Sequence, residues 1–133
     1  MQLLDVQEWF MIADEDLDSA KFLTNKHPKP LEIICYHCAQ AVEKYLKGFL
    51  EYNDVIPEKT HNLLKLLDKS IEIDESLKEI MRECELINKF TNQIRYIHRN
   101  EVSESEMEYV LNFTEKIKNI EAFQMIRDVV KKK

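Results

Sequence analysis

Apolar side chains recur along this chain at steps of three and four, the period of one face of an α-helix. Val6, Phe10, Ala13, Leu17 and Ala20 form one such stripe, and Leu31, Cys35, Cys38, Val42, Tyr45, Phe49 and Tyr52 form a second. Pro28 and Pro30 separate the two, because the residue before a proline is pushed out of the helical region. Beyond Pro57, Thr60 is expected to cap a short bridging helix with Leu63, Leu64, Leu66 and Leu67 along one side. Asp74 is expected to cap a fourth long helix that turns Leu77, Ile80, Cys84, Ile87, Phe90 and Ile94 inward and ends near RYIHRN. The last helix has the clearest start signal. Ser103 and Glu106 stand at the two positions of a capping box, Val102 and Met107 at those of a hydrophobic staple, and Val110, Phe113, Ile117, Ile120 and Phe123 continue the stripe.

The pattern predicts an all-α protein. Four helices of roughly 20 residues, each about 30 Å long, would form an antiparallel up-down bundle with one extra short helix. Punctuation agrees, since the chain has one glycine, Gly48, and three prolines, Pro28, Pro30 and Pro57, with neither residue type after Glu58. The prolines also interrupt any heptad long enough for an extended coiled coil. At 133 residues and 44% hydrophobic composition, the expectation is one domain over residues 1–133, able to bury a core without metals or disulfides. Three cysteines leave an odd thiol under any pairing, and no stretch resembles a signal peptide or a membrane span, so a cytoplasmic setting is expected. A formal charge of −6 argues against broad binding to phosphate backbones but leaves room for a small basic site. The closing Lys131, Lys132 and Lys133 read as a solvated tail.

Cys35, His37 and Cys38 have the look of a metal ligand set, but helical geometry separates them. The two cysteines fall on the core stripe and His37 points about a quarter turn away, so the three cannot converge on one tetrahedral ion. Neither a metal nor another cofactor is expected. His37, Gln40, Lys44 and Lys47 instead share a polar arc of about 80°. That arc is either a solvated face, with Glu43 and Lys47 as an i,i+4 pair worth a few tenths of a kcal/mol, or part of a binding site. His61 is either a partly buried, hydrogen-bonded histidine at the first position of the short helix or a nucleotide contact shared with His37 and Lys44.

Four stretches go beyond periodicity. WFMIADEDLDSAKFL, YHCAQAVEKYLKGFL, PEKTHNLLKLL and IRYI, in that order and spacing, resemble the HEPN domain family over almost the whole chain. The run of Gln40, Ala41, Glu43, Lys44, Leu46 and Lys47, followed by Thr60 and His61, is its most specific part. The resemblance implies a bundle of four or five helices, usually dimeric. Stand-alone prokaryotic members are commonly encoded beside a minimal nucleotidyltransferase, as toxin and antitoxin, so this chain is expected to be a homodimer and the toxin-side partner of such a protein, binding nucleotide or RNA and no membrane.

Many members of that family are metal-independent RNases, in which an Arg at a helix end is followed four to six residues later by a His that acts as general acid or base. Arg95 matches the Arg, but Asn100, Glu101 and Val102 occupy the three places for the His. His98, three residues from Arg95, is the substitute candidate, so an endoribonuclease using Arg95 and His98 is one alternative and a non-catalytic helical adaptor another. Arg99 joins His37, Gln40, Lys44, Lys47 and His61 as a candidate nucleotide or RNA contact. Arg95, His98 and Arg99 also fit a cationic helix C-terminus favoured by the helix dipole alone.

Overall fold

The computed structural model describes residues 3–92 and 102–131. Among the described residues there are six α-helices: α1 (Leu3–Leu23), α2 (Leu31–Tyr52), α3 (Leu63–Ile73), α4 (Met81–Ile87), α5 (Glu104–Lys118) and α6 (Glu121–Lys131). 3₁₀ segments flank α4 at Glu75–Ile80 and Asn88–Phe90, and no strand occurs among the described residues. The protein is therefore all-α. None of these helices is long and apolar enough to cross a membrane.

The first stripe buries as its spacing requires: Val6, Phe10, Ala13, Leu17 and Ala20 all lie in the core. The second helix does more than its stripe predicted. α2 packs against α1, α3 and α5, and more than half of its residues are buried, including Ile34, Ala39, Ala41, Leu46 and Leu50 off the expected seam. A helix with neighbours on several sides loses its solvent face. It ends where Asn53 folds its amide back onto the Phe49 carbonyl at 2.8 Å and Asp54 enters the left-handed region at φ 63°, a conformation Asn and Asp tolerate better than most residues.

Gly48 lies where α1 side chains press closely on the α2 backbone. A Cβ there would lie 2.7 Å from Phe10 Cε2 and 3.0 Å from Trp9 Cβ, inside van der Waals contact. Gly48→Ala, although favourable to an isolated helix, is therefore expected to destabilise the fold by about 1–3 kcal/mol, the usual cost of overpacking. Chemical denaturation is the check, and a variant as stable as the wild type would show that the two helices can part without cost.

Three expected elements come out differently. The cap of α3 is Asn62, whose side chain accepts from the Leu64 and Lys65 amides, while Thr60 Oγ1 accepts from the Asn62 amide at 3.1 Å. Asn88 decides this from 25 residues away: its Oδ1 accepts from the Leu63 amide at 2.8 Å and its Nδ2 donates to Asn62 Oδ1 at 3.3 Å. The fourth helix begins at Asp74 but runs as 3₁₀, α and 3₁₀ pieces, burying Leu77, Ile80, Cys84 and Ile87 while Phe90 stays half-buried; Ile94 lies outside the described residues. The last helix starts at Ser103, whose Oγ accepts from the Glu106 amide at 3.0 Å, but the Glu106 carboxylate accepts from Lys89 at 2.6 Å instead of completing the box. It then breaks at Asn119, so that Ile120 and Phe123 belong to a separate helical approach. On α5 Met107, Val110, Thr114 and Ile117 are buried, while Phe113, expected on the stripe, is half-buried and stacks on Tyr109.

Candidate functional site

Two antiparallel helices set the frame of the polar arc. α1 contributes Trp9 and Asp16, and α2 contributes His37, Gln40, Glu43, Lys44, Lys47 and Glu51. At the α2 N-terminal end, His37 Nδ1 donates to Asp16 Oδ1 at 3.3 Å, because a carboxylate can only accept. The His37 ring packs edge-on against Tyr36.

Two turns along, Glu43 is the centre. It is 2% exposed, which corrects the expectation of a solvated face. Its Oε2 accepts from Lys47 Nζ at 3.0 Å and its Oε1 from His61 Nδ1 at 2.9 Å, with Lys44 Nζ 3.6 Å from Oε2. Lys47 is itself only 8% exposed, and its ammonium lies 5.8 Å from the centroid of Trp9, whose indole donates to Glu51 at 3.1 Å. Burial raises the pKa of Glu43, but the hydrogen bonds from His61 and Lys47 and the charges of both lysines outweigh it and hold the carboxyl below its ordinary value.

His61 is not the first residue of a helix and not partly buried. It stands one place before the Asn62 cap with its side chain 67% exposed, held to the molecule through Glu43. Lys44 is more enclosed, its side chain 17% exposed. It donates to Gln40 Oε1 at 2.9 Å, and its contact with Glu43 is longer than a hydrogen bond, so donors of its ammonium remain for a ligand.

The structure thus joins Gln40, Lys44, Lys47 and His61 around one carboxylate and leaves His37 on a different one. Arg95, His98 and Arg99 lie outside the described residues. Cys35, Cys38 and Cys84 are buried thiols whose pKa burial pushes up to about 12, and no cluster of His, Cys, Asp and Glu that could hold a metal ion occurs among the described residues.

Sequence reading missed a second polar centre. Arg127 of α6 donates to both oxygens of Asp14 at 2.7 Å, and Tyr45 Oη donates to the same carboxylate at 2.5 Å. The guanidinium lies over Phe10 and Tyr45, 5.3 and 5.4 Å from their centroids. Its signal was present, since Arg127 interrupts the buried row of Phe123, Ile126 and Val130. The cluster ties α6 to α1 and α2 beneath the surface and is a clamp rather than a ligand site.

Compared with known families, residues 6–124 match the one described as the HEPN domain, which is most of the chain. Among curated proteins no match is found.

Proposed function

The chain belongs to the HEPN domain family, and on that premise we propose that it binds a phosphate-bearing ligand, a nucleotide or an RNA, at Lys44 and His61. In this reading it acts as the toxin-side partner of a minimal nucleotidyltransferase, as a cytoplasmic homodimer formed by one domain over residues 1–133. One observation carries the binding: Lys47 and His61 already occupy the two oxygens of Glu43, so the Lys44 ammonium keeps donor capacity beside the exposed His61 ring. Such a division of labour suits recognition. Glu43 and Lys47 hold the shape, while the Lys44 ammonium meets the anion as a charge-assisted donor with the His61 ring beside it. One ammonium and one imidazole beside the Glu43 carboxylate make a local site, not a phosphate-tracking groove. The partnership rests on family membership and the resemblance of the Gln40–Lys47 run.

The binding half is tested by titrating the protein calorimetrically with ATP and with a short single-stranded RNA. Lys44→Ala and His61→Ala should each weaken binding about tenfold, which is the loss of roughly 1.4 kcal/mol. His61→Ala should also lower the melting temperature, because it takes a hydrogen bond from the buried Glu43 carboxylate, so circular dichroism checks that the variant is folded at the temperature of the titration. Absence of any binding at millimolar ligand would refute the site. The partnership half is tested by co-expression with a nucleotidyltransferase encoded beside this gene, where failure to co-elute counts against it.

A further inference from the structure

The outer face of α1 is distinctive in composition. Leu4, Met11 and Phe22 are 78%, 54% and 75% exposed. At about 100° per residue they fall on one line, which runs roughly 27 Å along the helix. Glu8, Glu15 and Asp18 share an arc of about 80° with them, all exposed. Over its whole length α1 carries six carboxylates, Asp5, Glu8, Asp14, Glu15, Asp16 and Asp18, against the single cation Lys21. Lys21 pairs with Glu115, Asp14 with Arg127 and Asp16 with His37, which leaves the acids of the outer arc as its charge. A shallow groove between α1 and α6 adjoins the stripe, with Met11 in its lining and Lys131 as a cation besides the committed Arg127.

Single exposed apolar side chains are ordinary, but three aligned on one helix face and bordered by a groove offer a line along which another apolar stripe can seat. Charge selects the occupant. A nucleic acid or an anionic lipid surface is repelled by this face. A second copy meeting it isologously would set the same three acids against themselves, and like-charge juxtaposition costs several kcal/mol. We propose that the outer face of α1 docks a different protein, through a surface that offers apolar side chains between lysines and arginines. The apolar line supplies the affinity and the acids supply the orientation and encounter rate. The surface is separate from the Lys44 and His61 site and does not depend on it.

The test uses the full-length protein and a synthetic amphipathic peptide of about 20 residues, with leucines on one helical stripe flanked by lysines and arginines. Fluorescence anisotropy should give a Kd on the order of 10 µM. The Leu4→Ser, Met11→Ser, Phe22→Ser triple variant keeps every charge and should weaken binding about tenfold. A Glu8→Gln, Glu15→Gln, Asp18→Asn variant should weaken it as well and flatten its salt dependence. Both variants change exposed side chains, so circular dichroism should report unaltered folding. No binding by the wild type overturns the proposal, as does a loss confined to the charge variant, which would mean adsorption to any acid. So would a wild-type dimer in sedimentation that the serine variant dissolves, because the face would then be a contact between copies.

Discussion

Arg127→Ala is expected to lower stability by about 3 kcal/mol, which for a chain of this size corresponds to a fall of roughly 10 °C in Tm. The guanidinium is 12% exposed and makes two bonds to Asp14, so its removal leaves a half-buried carboxylate with Tyr45 as its remaining close donor. Breaking a buried pair from one side strands the other charge, which is the expensive case. Truncation also removes the cation from the faces of Phe10 and Tyr45. Asp14→Ala should cost about as much, for it strands the more deeply buried partner. The double replacement Asp14→Leu with Arg127→Met should recover much of the loss, since apolar side chains of similar volume often replace a buried ion pair without penalty. Urea denaturation of the four proteins is the measurement. Single variants within about 0.5 kcal/mol of the wild type would show that α6 is held by its apolar row alone.

Glu43→Ala should be comparably severe, at about 3 kcal/mol or more. It leaves Lys47 buried against Trp9 with no carboxylate in reach at 3.0 Å and releases His61, the residue that fastens the segment before α3 to α2. Glu43→Gln keeps the shape and one acceptor and should cost less. This pair also sets an acid limit. Glu43 and Asp14 both titrate below their ordinary values of 4.5 and 3.8 in the folded protein, burial notwithstanding, because Lys47 and His61 in one case and Arg127 and Tyr45 in the other favour the ionised form. A carboxyl whose folded pKa is depressed binds more protons when unfolded, so its stabilisation is fully present above the unfolded pKa and is lost as pH falls through the folded one. The melting temperature should therefore hold between about pH 5 and 8 and fall steeply below about pH 4. Glu43→Gln, lacking one of the two groups, should show a shallower acid limb, and a limb identical to the wild type's would remove Glu43 as a source of the effect.

Much of the architecture was legible because helices are local. The stripe of Val6, Phe10, Ala13, Leu17 and Ala20 is buried as read, the Ser103 hydroxyl caps α5, and Cys35 and Cys38 lie in the core. Failures came where a distant residue competed with a local signal. Thr60 is a sound cap by sequence, but Asn88 binds the Leu63 amide and Asn62, so the helix starts later. Glu106 fits a capping box, but Lys89 takes its carboxylate. The break at Asn119, which lets α6 turn Phe123 against Phe10, Tyr45 and Phe49, has neither a glycine nor a proline to announce it.

The sequence by itself determined that this protein is helical, where most of its core stripes run, that it belongs among HEPN domains, and that His37, Gln40, Lys44 and Lys47 share a side of one helix. Each of these depends on a spacing of three or four residues or on a linear run of residue types. Only the tertiary structure decided which polar groups become buried and with whom: that Glu43 leaves the solvent and is shared by Lys47 and His61, that His37 goes to Asp16, and that Asp14, Tyr45 and Arg127 meet across 113 positions of chain. A local period shows which face a side chain occupies. Whether that face meets water or another helix is set by packing between segments far apart in sequence, and for a charged group this governs both its partners and its proton affinity.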